Sequence, residues 1–218
     1  MIRGVIFDLD GVLVTTDELH FRAWARMAEE EGIPFDRTVN ERLRGVSRMD
    51  SLEIILERAP RQYSEEEKQE LADRKNGYYR RSLRELTADA LLPGALEMLR
   101  ALRQRGVKLA IASSSRNAPL INERLGLEEK VDAAVDGNDI SHSKPHPEIF
   151  QLAARRLGLP PRECLVVEDA QAGIEAGRKA GTAVFGIGDH RRLPDVERLA
   201  PSLADVSPDR LLAAGDGS

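Results

Sequence analysis

The segment Val5-Ile6-Phe7-Asp8-Leu9-Asp10-Gly11-Val12-Leu13 sets an unbroken apolar run directly against two carboxylates and a glycine. A short run rich in branched and aromatic side chains and closed by glycine is predicted to be a buried strand opening into a loop. If extended geometry persists through Leu9, residues two apart share a face, and the Asp8 and Asp10 side chains meet at the strand's carboxyl edge. Asp-x-Asp is common in loops and helix caps that have no chemical role. Here a fully apolar strand delivers both acids at once, a costly place for unpaired charge. A hard cation such as Mg2+, which takes oxygen ligands and often shares its site with phosphate oxygens, is the natural third party. One carboxylate can then attack while the other moves a proton.

Beyond Leu13 the chain turns helical. Thr15-Thr16-Asp17-Glu18 reads as a capping box with Thr15 at the N-cap and Glu18 three residues on, opening a helix that runs to Gly32. Further starts fall at Ser47 and Ser64, and Pro60 and Leu92-Pro93-Gly94 mark stops. Residues 14–87 are therefore predicted to be a helical insert, a cap domain, with 1–13 and 88–218 forming the core. From Pro93 the rhythm changes to alternating elements: a helix to Gly106, the strand Lys108 to Ala112, a helix to Gly126 and a short strand near Val131 to Val135. A helix after Pro147, the strand Cys164 to Val167, a helix ending near Gly181 and a last strand from Ala183 to Ile187 complete the series. This alternation implies an α/β fold, a doubly wound parallel sheet with helices on both faces. The tail from Ala213 is small and polar and is expected to fray.

Composition limits the partners. With 32 basic and 37 acidic residues the net charge is -5, so no general basic field marks the chain for nucleic acid or an anionic membrane. An anionic substrate needs local basic residues. Cys164, the only cysteine, sits in an apolar run where a buried hydrophobe is the expected role, and no internal disulfide is possible. The N-terminus lacks the zones of a signal peptide and no apolar run reaches membrane-spanning length, so the expectation is a soluble cytoplasmic protein.

Open parallel sheets bind ligands beyond the carboxyl ends of their strands. Those ends carry Asp8 and Asp10, then Ser113-Ser114-Ser115-Arg116-Asn117, then Ser143-Lys144-Pro145, then Glu168-Asp169. Singly, the serine run is a polar turn and Lys144 a solvated lysine. Together they make an inventory for phosphoryl transfer: a nucleophile, acids to hold a metal, and donors to neutralise the transferring group.

These four segments resemble the four motifs of the haloacid dehalogenase superfamily, and the resemblance spans nearly the whole chain. Within that superfamily His20-Phe21-Arg22-Ala23-Trp24, Gly45-Val46-Ser47-Arg48-Met49-Asp50-Ser51, Arg74-Lys75-Asn76 and Glu168-Asp169-Ala170-Gln171-Ala172-Gly173-Ile174 resemble the β-phosphoglucomutase subgroup. The resemblance implies that Asp8 is the nucleophile, forming an aspartyl phosphate, and that Asp10 is the general acid/base. It implies Mg2+ held by Asp8, the backbone carbonyl of Asp10, Glu168 and Asp169. Ser113 and Lys144 bind the phosphoryl group, with Ser114, Ser115, Arg116 and Asn117 beside the substrate. In the insert, Gly45, Val46, Ser47, Arg48, Ser51 and Asn76 are implied substrate contacts, Arg48 gripping the non-reacting phosphate, and His20 and Lys75 link closure of the cap to Asp10. A guanidinium fork suits a phosphate, and a cation at a helix start stands against the local dipole. Trp24 and Met27 fall at helical spacing, which favours packing, and only the resemblance makes Trp24 a sugar contact. Thr15 departs from the acidic residue usual in the subgroup beside the cap hinge.

The expected activity is the isomerisation of β-D-glucose 1-phosphate and glucose 6-phosphate through β-glucose 1,6-bisphosphate, by a monomer. The alternative is a Mg2+-dependent sugar-phosphate phosphatase with water as acceptor, since the core motifs are common to both. A binding protein that has lost turnover is the third reading, and the complete acidic set stands against it.

Overall fold

The computed structural model describes residues 1–43 and 47–215, and the chain divides into two compact units, residues 1–15 with 86–218 and residues 16–85.

The first unit is built on a six-stranded sheet in which every pairing is parallel. Strand β1 (Gly4–Phe7) lies between β2 (Lys108–Ala112) and β4 (Cys164–Glu168). Outward from them lie β3 (Ala133–Val135) on one side, and β5 (Ala183–Ile187) and β6 (Leu199–Ala200) on the other, giving the order β3-β2-β1-β4-β5-β6. Chain order reverses between β1 and β4, the topological switch point where such sheets bind ligands. Val5, Leu109 and Leu165 are in register, as are Ile6, Ala110 and Val166, and all six are fully buried, so both faces of the sheet are covered. That is why these strands read as continuous apolar runs.

One face packs on α7 (Glu148–Leu157) and α8 (Gln171–Ala180): Ile6, Ala110 and Val166 join Phe150, Ala153, Ala154 and Ala176 in a single cluster. Alanines on both sides let helix and sheet approach closely. Burying a side chain such as Phe150 stabilises by about 1.5–3 kcal/mol. Helix α5 (Ala95–Gln104) packs against β2 and against α9 (Pro208–Leu212), and α6 (Ala118–Leu125) follows β2, with Gly126 closing it in the left-handed conformation.

Three expectations need correction in this unit. Strand β1 stops at Phe7, not Leu9, because Leu9 O accepts from both Leu13 N and Val14 N (3.0 Å each) while Gly11, at φ 94°, donates to Val14 O (2.7 Å). The backbone therefore turns between Asp8 and Asp10, and strand periodicity does not relate their side chains. Strand β6, two residues long, carries too little pattern to be seen in the sequence. The tail does not fray at Ala213: Ala213–Gly215 forms a turn of 3-10 helix with Ala214 buried, its carbonyl accepting from Arg198 Nη1.

The second unit holds α1 (Asp17–Glu30), α2 (Arg37–Glu41), α3 (Arg48–Leu56) and α4 (Glu65–Leu83). Trp24, Met27, Ala28, Leu52, Ile55, Leu71 and Ala72 form its core. Ser64 and Glu67 make the full reciprocal capping box at α4, with bonds of 3.2 and 2.7 Å, and Ser47 caps α3 by accepting from Asp50 N (3.2 Å). The expected box at Thr15 is not formed. The N-cap of α1 is Thr16, and its hydroxyl accepts from the buried Tyr79 hydroxyl (3.0 Å) in place of the helix backbone. Thr15 N instead donates to Ala90 O (2.8 Å).

Candidate active site

Asp8 is the first residue beyond β1, and its N–H continues the ladder to Val167 O of β4 at 2.9 Å. Register therefore sets the Asp8 carboxylate beside the end of β4, where Glu168 and Asp169 stand. One carboxylate oxygen from each of Asp8, Glu168 and Asp169 lies within 4.8 Å of the others. Lys144 bridges the first two, donating to Asp8 Oδ1 and, at 2.5 Å, to Glu168 Oε1, with Ala112 O as a further acceptor at 3.3 Å. The ammonium also lies 4.9 Å from the centroid of the Phe150 ring. So the lysine that would have been solvated is 11% exposed at its side chain and ties β1, β2 and β4 together.

Glu168, 1% exposed, is fixed on its other side by the N–H groups of Asp169 (2.9 Å) and Ala170 (3.0 Å), both to Oε2. Two glycines make room for this arrangement. A Cβ on Gly173 would stand 1.9 Å from the Glu168 carboxyl carbon, and one on Gly11 2.2 Å from Asp169 Oδ2. Neither glycine is named by a search for charged groups; the signal for Gly11 is its place directly after two carboxylates.

Charge in this cluster is not balanced. Burial pushes the Asp8 carboxyl well above the usual carboxylate range, Lys144 opposes that, and Glu168 and Asp169 add to it. For Lys144, burial alone would depress the ammonium, but the Asp8 and Glu168 carboxylates outweigh it and raise it above its ordinary value. One ammonium among three carboxylates leaves the site short of positive charge.

The serine run beyond β2 is a pair of nested turns. Ser113 N donates to Val135 O (3.0 Å), extending the β2–β3 ladder; Ser113 Oγ accepts from Ser115 N (3.2 Å) and Ser115 Oγ from Asn117 N (3.1 Å). An oxygen that accepts from its own turn keeps its O–H proton to donate elsewhere. Asn117 is the N-cap of α6 but its side chain does not cap. Ser114 Oγ is buried with no hydrogen-bond partner among the described residues. Arg116 O accepts from Asn138 Nδ2 (3.2 Å), and the close approach of Gly137 to Ser114 O packs this loop against the one after β3. Asp10 pairs with Val14 in an isolated bridge, and its side chain is outside the carboxylate cluster of the described residues.

In the second unit Lys75 Nζ lies 2.8 Å from His20 Nδ1 and 4.5 Å from the Trp24 ring centroid, and the His20 and Tyr79 rings are 4.0 Å apart. Burial, and then the charge of Arg48, lowers the Lys75 amine to about 7. Burial, then Lys75, then Arg48 hold His20 well below its ordinary 6.5. Arg48, the first residue of α3, is 3.9 Å from Asp73 Oδ1. Trp24 and Ser51 are buried and Asn76 is half-buried. Gly45 and Val46 lie outside the described residues.

An acid cluster with one bridging lysine at the switch point of a doubly wound sheet, in a chain with an inserted helical unit, defines an α/β enzyme core equipped for phosphoryl groups. A family model described as haloacid dehalogenase-like hydrolase matches residues 2–181, and the chain belongs to that family. It is 43% identical over 208 residues, 94% of this chain and 92% of the relative, to a β-phosphoglucomutase of Bacillus subtilis. A phosphorylated carbohydrates phosphatase of Thermotoga maritima is 33% identical, with 97% of each chain covered. Among solved structures, a β-phosphoglucomutase from Clostridium difficile superposes with a TM-score of 0.89 at 36% identity, covering 99% of this chain and 98% of that one. No helix of the described residues is long and apolar enough to cross a membrane.

Proposed function

We propose that this enzyme interconverts β-D-glucose 1-phosphate and glucose 6-phosphate, with Asp8 as phosphoryl acceptor and β-glucose 1,6-bisphosphate as the intermediate. Asp8 Oδ attacks phosphorus, the bond from phosphorus to the sugar oxygen breaks, and Asp10 supplies a proton to that oxygen; in the return step Asp10 takes the proton of the attacking hydroxyl. Lys144 and the Ser113 hydroxyl donate to the transferring oxygens.

The donor set fits Mg2+: three carboxylates of a hard, all-oxygen site short of positive charge, in a cradle that a Cβ at Gly11 would fill. Asp8, Glu168, Asp169 and the Asp10 carbonyl would hold it. Bound there, the ion supplies charge that offsets the carboxylates and the phosphoryl oxygens. Glu168 would enter that set already fixed by two backbone N–H groups.

Transfer to a sugar, as opposed to water, is supported by one observation above the rest: the second unit brings the buried Lys75 amine to 2.8 Å from His20 with Arg48 near enough to act on both, and burial, then Arg48, weakens the hold of Lys75 on its proton. A bisphosphate intermediate needs a second anion site and simple hydrolysis does not. The Thermotoga maritima relative keeps the phosphatase reading in view. A phosphorus NMR time course with Mg2+, β-glucose 1-phosphate and a trace of the bisphosphate separates the two. Glucose 6-phosphate with little free phosphate is the expected result; accumulating inorganic phosphate makes the enzyme a phosphatase.

A further inference from the structure

Two of the chain's four histidines lie within five residues on the loop that leads into α7. One ring nitrogen each of His142 and His146 and a carboxylate oxygen of Glu148 all lie within 4.8 Å of one another. Glu148 Oε2 is 3.1 Å from His142 Nδ1 and 3.9 Å from His146 Nδ1, and the two ring centroids are 4.5 Å apart. Ligands on a tetrahedral ion with bonds of about 2.05 Å stand about 3.3 Å from each other, close to the two distances from Glu148 Oε2, and the exposed rings are free to adjust the third. The carboxylate is already oriented: Oε1 accepts from Ser141 N (3.1 Å) and Oε2 from His142 N (2.9 Å), the outer-shell support that metal-ligating carboxylates usually have. Both rings are at least half exposed, which leaves room for water on the remaining positions.

A plainer account is that Glu148 only pins the loop. That explains the two backbone bonds and the His142 Nδ1 contact at 3.1 Å, but it does not need a second imidazole nitrogen 3.9 Å from the same carboxylate oxygen. His146 Nδ1 accepts from Glu148 N at 3.3 Å, a bond long enough to be exchanged for a metal.

We propose that His142, His146 and Glu148 form a second metal site, for a divalent transition metal ion such as Zn2+ or Cu2+. It is chemically distinct from the all-oxygen cluster at Asp8, since imidazole favours these ions and Mg2+ does not favour imidazole. The two histidines flank Lys144 by two residues on each side, so the ion fastens the segment that carries the partner of Asp8 and Glu168.

The test uses the full chain with saturating Mg2+ to occupy the oxygen cluster. Calorimetric titration with Zn2+ is expected to show one ion per chain, bound at least about tenfold more weakly in His142→Asn and in His146→Asn. Cu2+ is expected to give an electron paramagnetic resonance spectrum split by two imidazole nitrogens, and by one in either variant. Metal-free melting curves of the variants report whether they remain folded, and the wild-type spectrum decides without them. No Zn2+ uptake against Mg2+, uptake unchanged in both folded variants, or a Cu2+ spectrum with no nitrogen splitting overturns the site. None of these readouts depends on which sugar phosphate the enzyme uses.

Discussion

At the scale of single residues, the environment of Lys144 states what Asp8 needs. A buried ammonium shared between two carboxylates with a third beside them cannot neutralise the set. In Lys144→Met the carboxylates lose that charge while all stay in place. Breaking a buried pair by removing one partner costs about 3–5 kcal/mol, so thermal melts without Mg2+ should shift strongly downward. Added Mg2+ should recover more of the melting temperature in the variant than it adds to the wild type, because more uncompensated charge is there to offset. Equal melts in the two proteins, with and without Mg2+, would sink the account. The residues of this cluster were legible in the sequence because acids at the end of an apolar strand contradict local preference. What made room for them was not. The Ala112 carbonyl takes its meaning from Lys144, distant in the chain, and the room Gly173 leaves for Glu168 depends on how the turn into α8 folds, which residue spacing alone does not record.

Between α1 and α4 the group that burial perturbs is an amine. Lys75 titrates at about 7 in the folded chain against an ordinary 10.5. Between those values the unfolded chain binds a proton that the folded one does not, so stability rises with pH across that window and is lost as the pH falls to about 7. His20, also lowered, acts with the same sign, its window ending at 6.5. A tenfold loss of proton affinity corresponds to about 1.4 kcal/mol, so burying Lys75 costs on the order of a few kcal/mol at neutral pH. In Lys75→Met the melting temperature of the insert's fold should be higher at pH 7 than in the wild type and should lose its rise towards pH 10. A wild-type curve that is flat over that range would refute the buried-amine reading. Helices here were legible from capping residues where those caps are made, as at Ser47 and Ser64. They were misread at Thr15 because two threonines precede the acids, and the sequence does not show that Thr16 is the N-cap and that its hydroxyl meets Tyr79 in place of the helix backbone.

For the whole chain, the division into two units makes its own demand. The segments that lead out of and back into the first unit are paired there: Val14 bridges Leu91, Thr15 N donates to Ala90 O, and Leu92 N to Leu13 O at 2.9 Å. The break in that unit is thus closed by its own backbone. Its sheet is buried on both faces by its own helices in the same unit, and its size is that of an ordinary domain. A chain in which residues 16–85 are replaced by a few Gly and Ser residues should therefore fold, melt cooperatively and still be stabilised by Mg2+. It should lose conversion of β-glucose 1-phosphate to glucose 6-phosphate, because Arg48, Lys75 and His20 go with the deleted unit. A small-molecule acyl phosphate offered to this core should still phosphorylate Asp8, with water left as the acceptor. Circular dichroism melts, phosphorus NMR and the Asp8→Asn form of the shortened chain check each part. If the shortened chain does not fold, the two units share stability that their separate cores do not reveal. If it folds and keeps full sugar transfer, the second anion site is not in the insert, and the mutase reading loses the observation on which it rests.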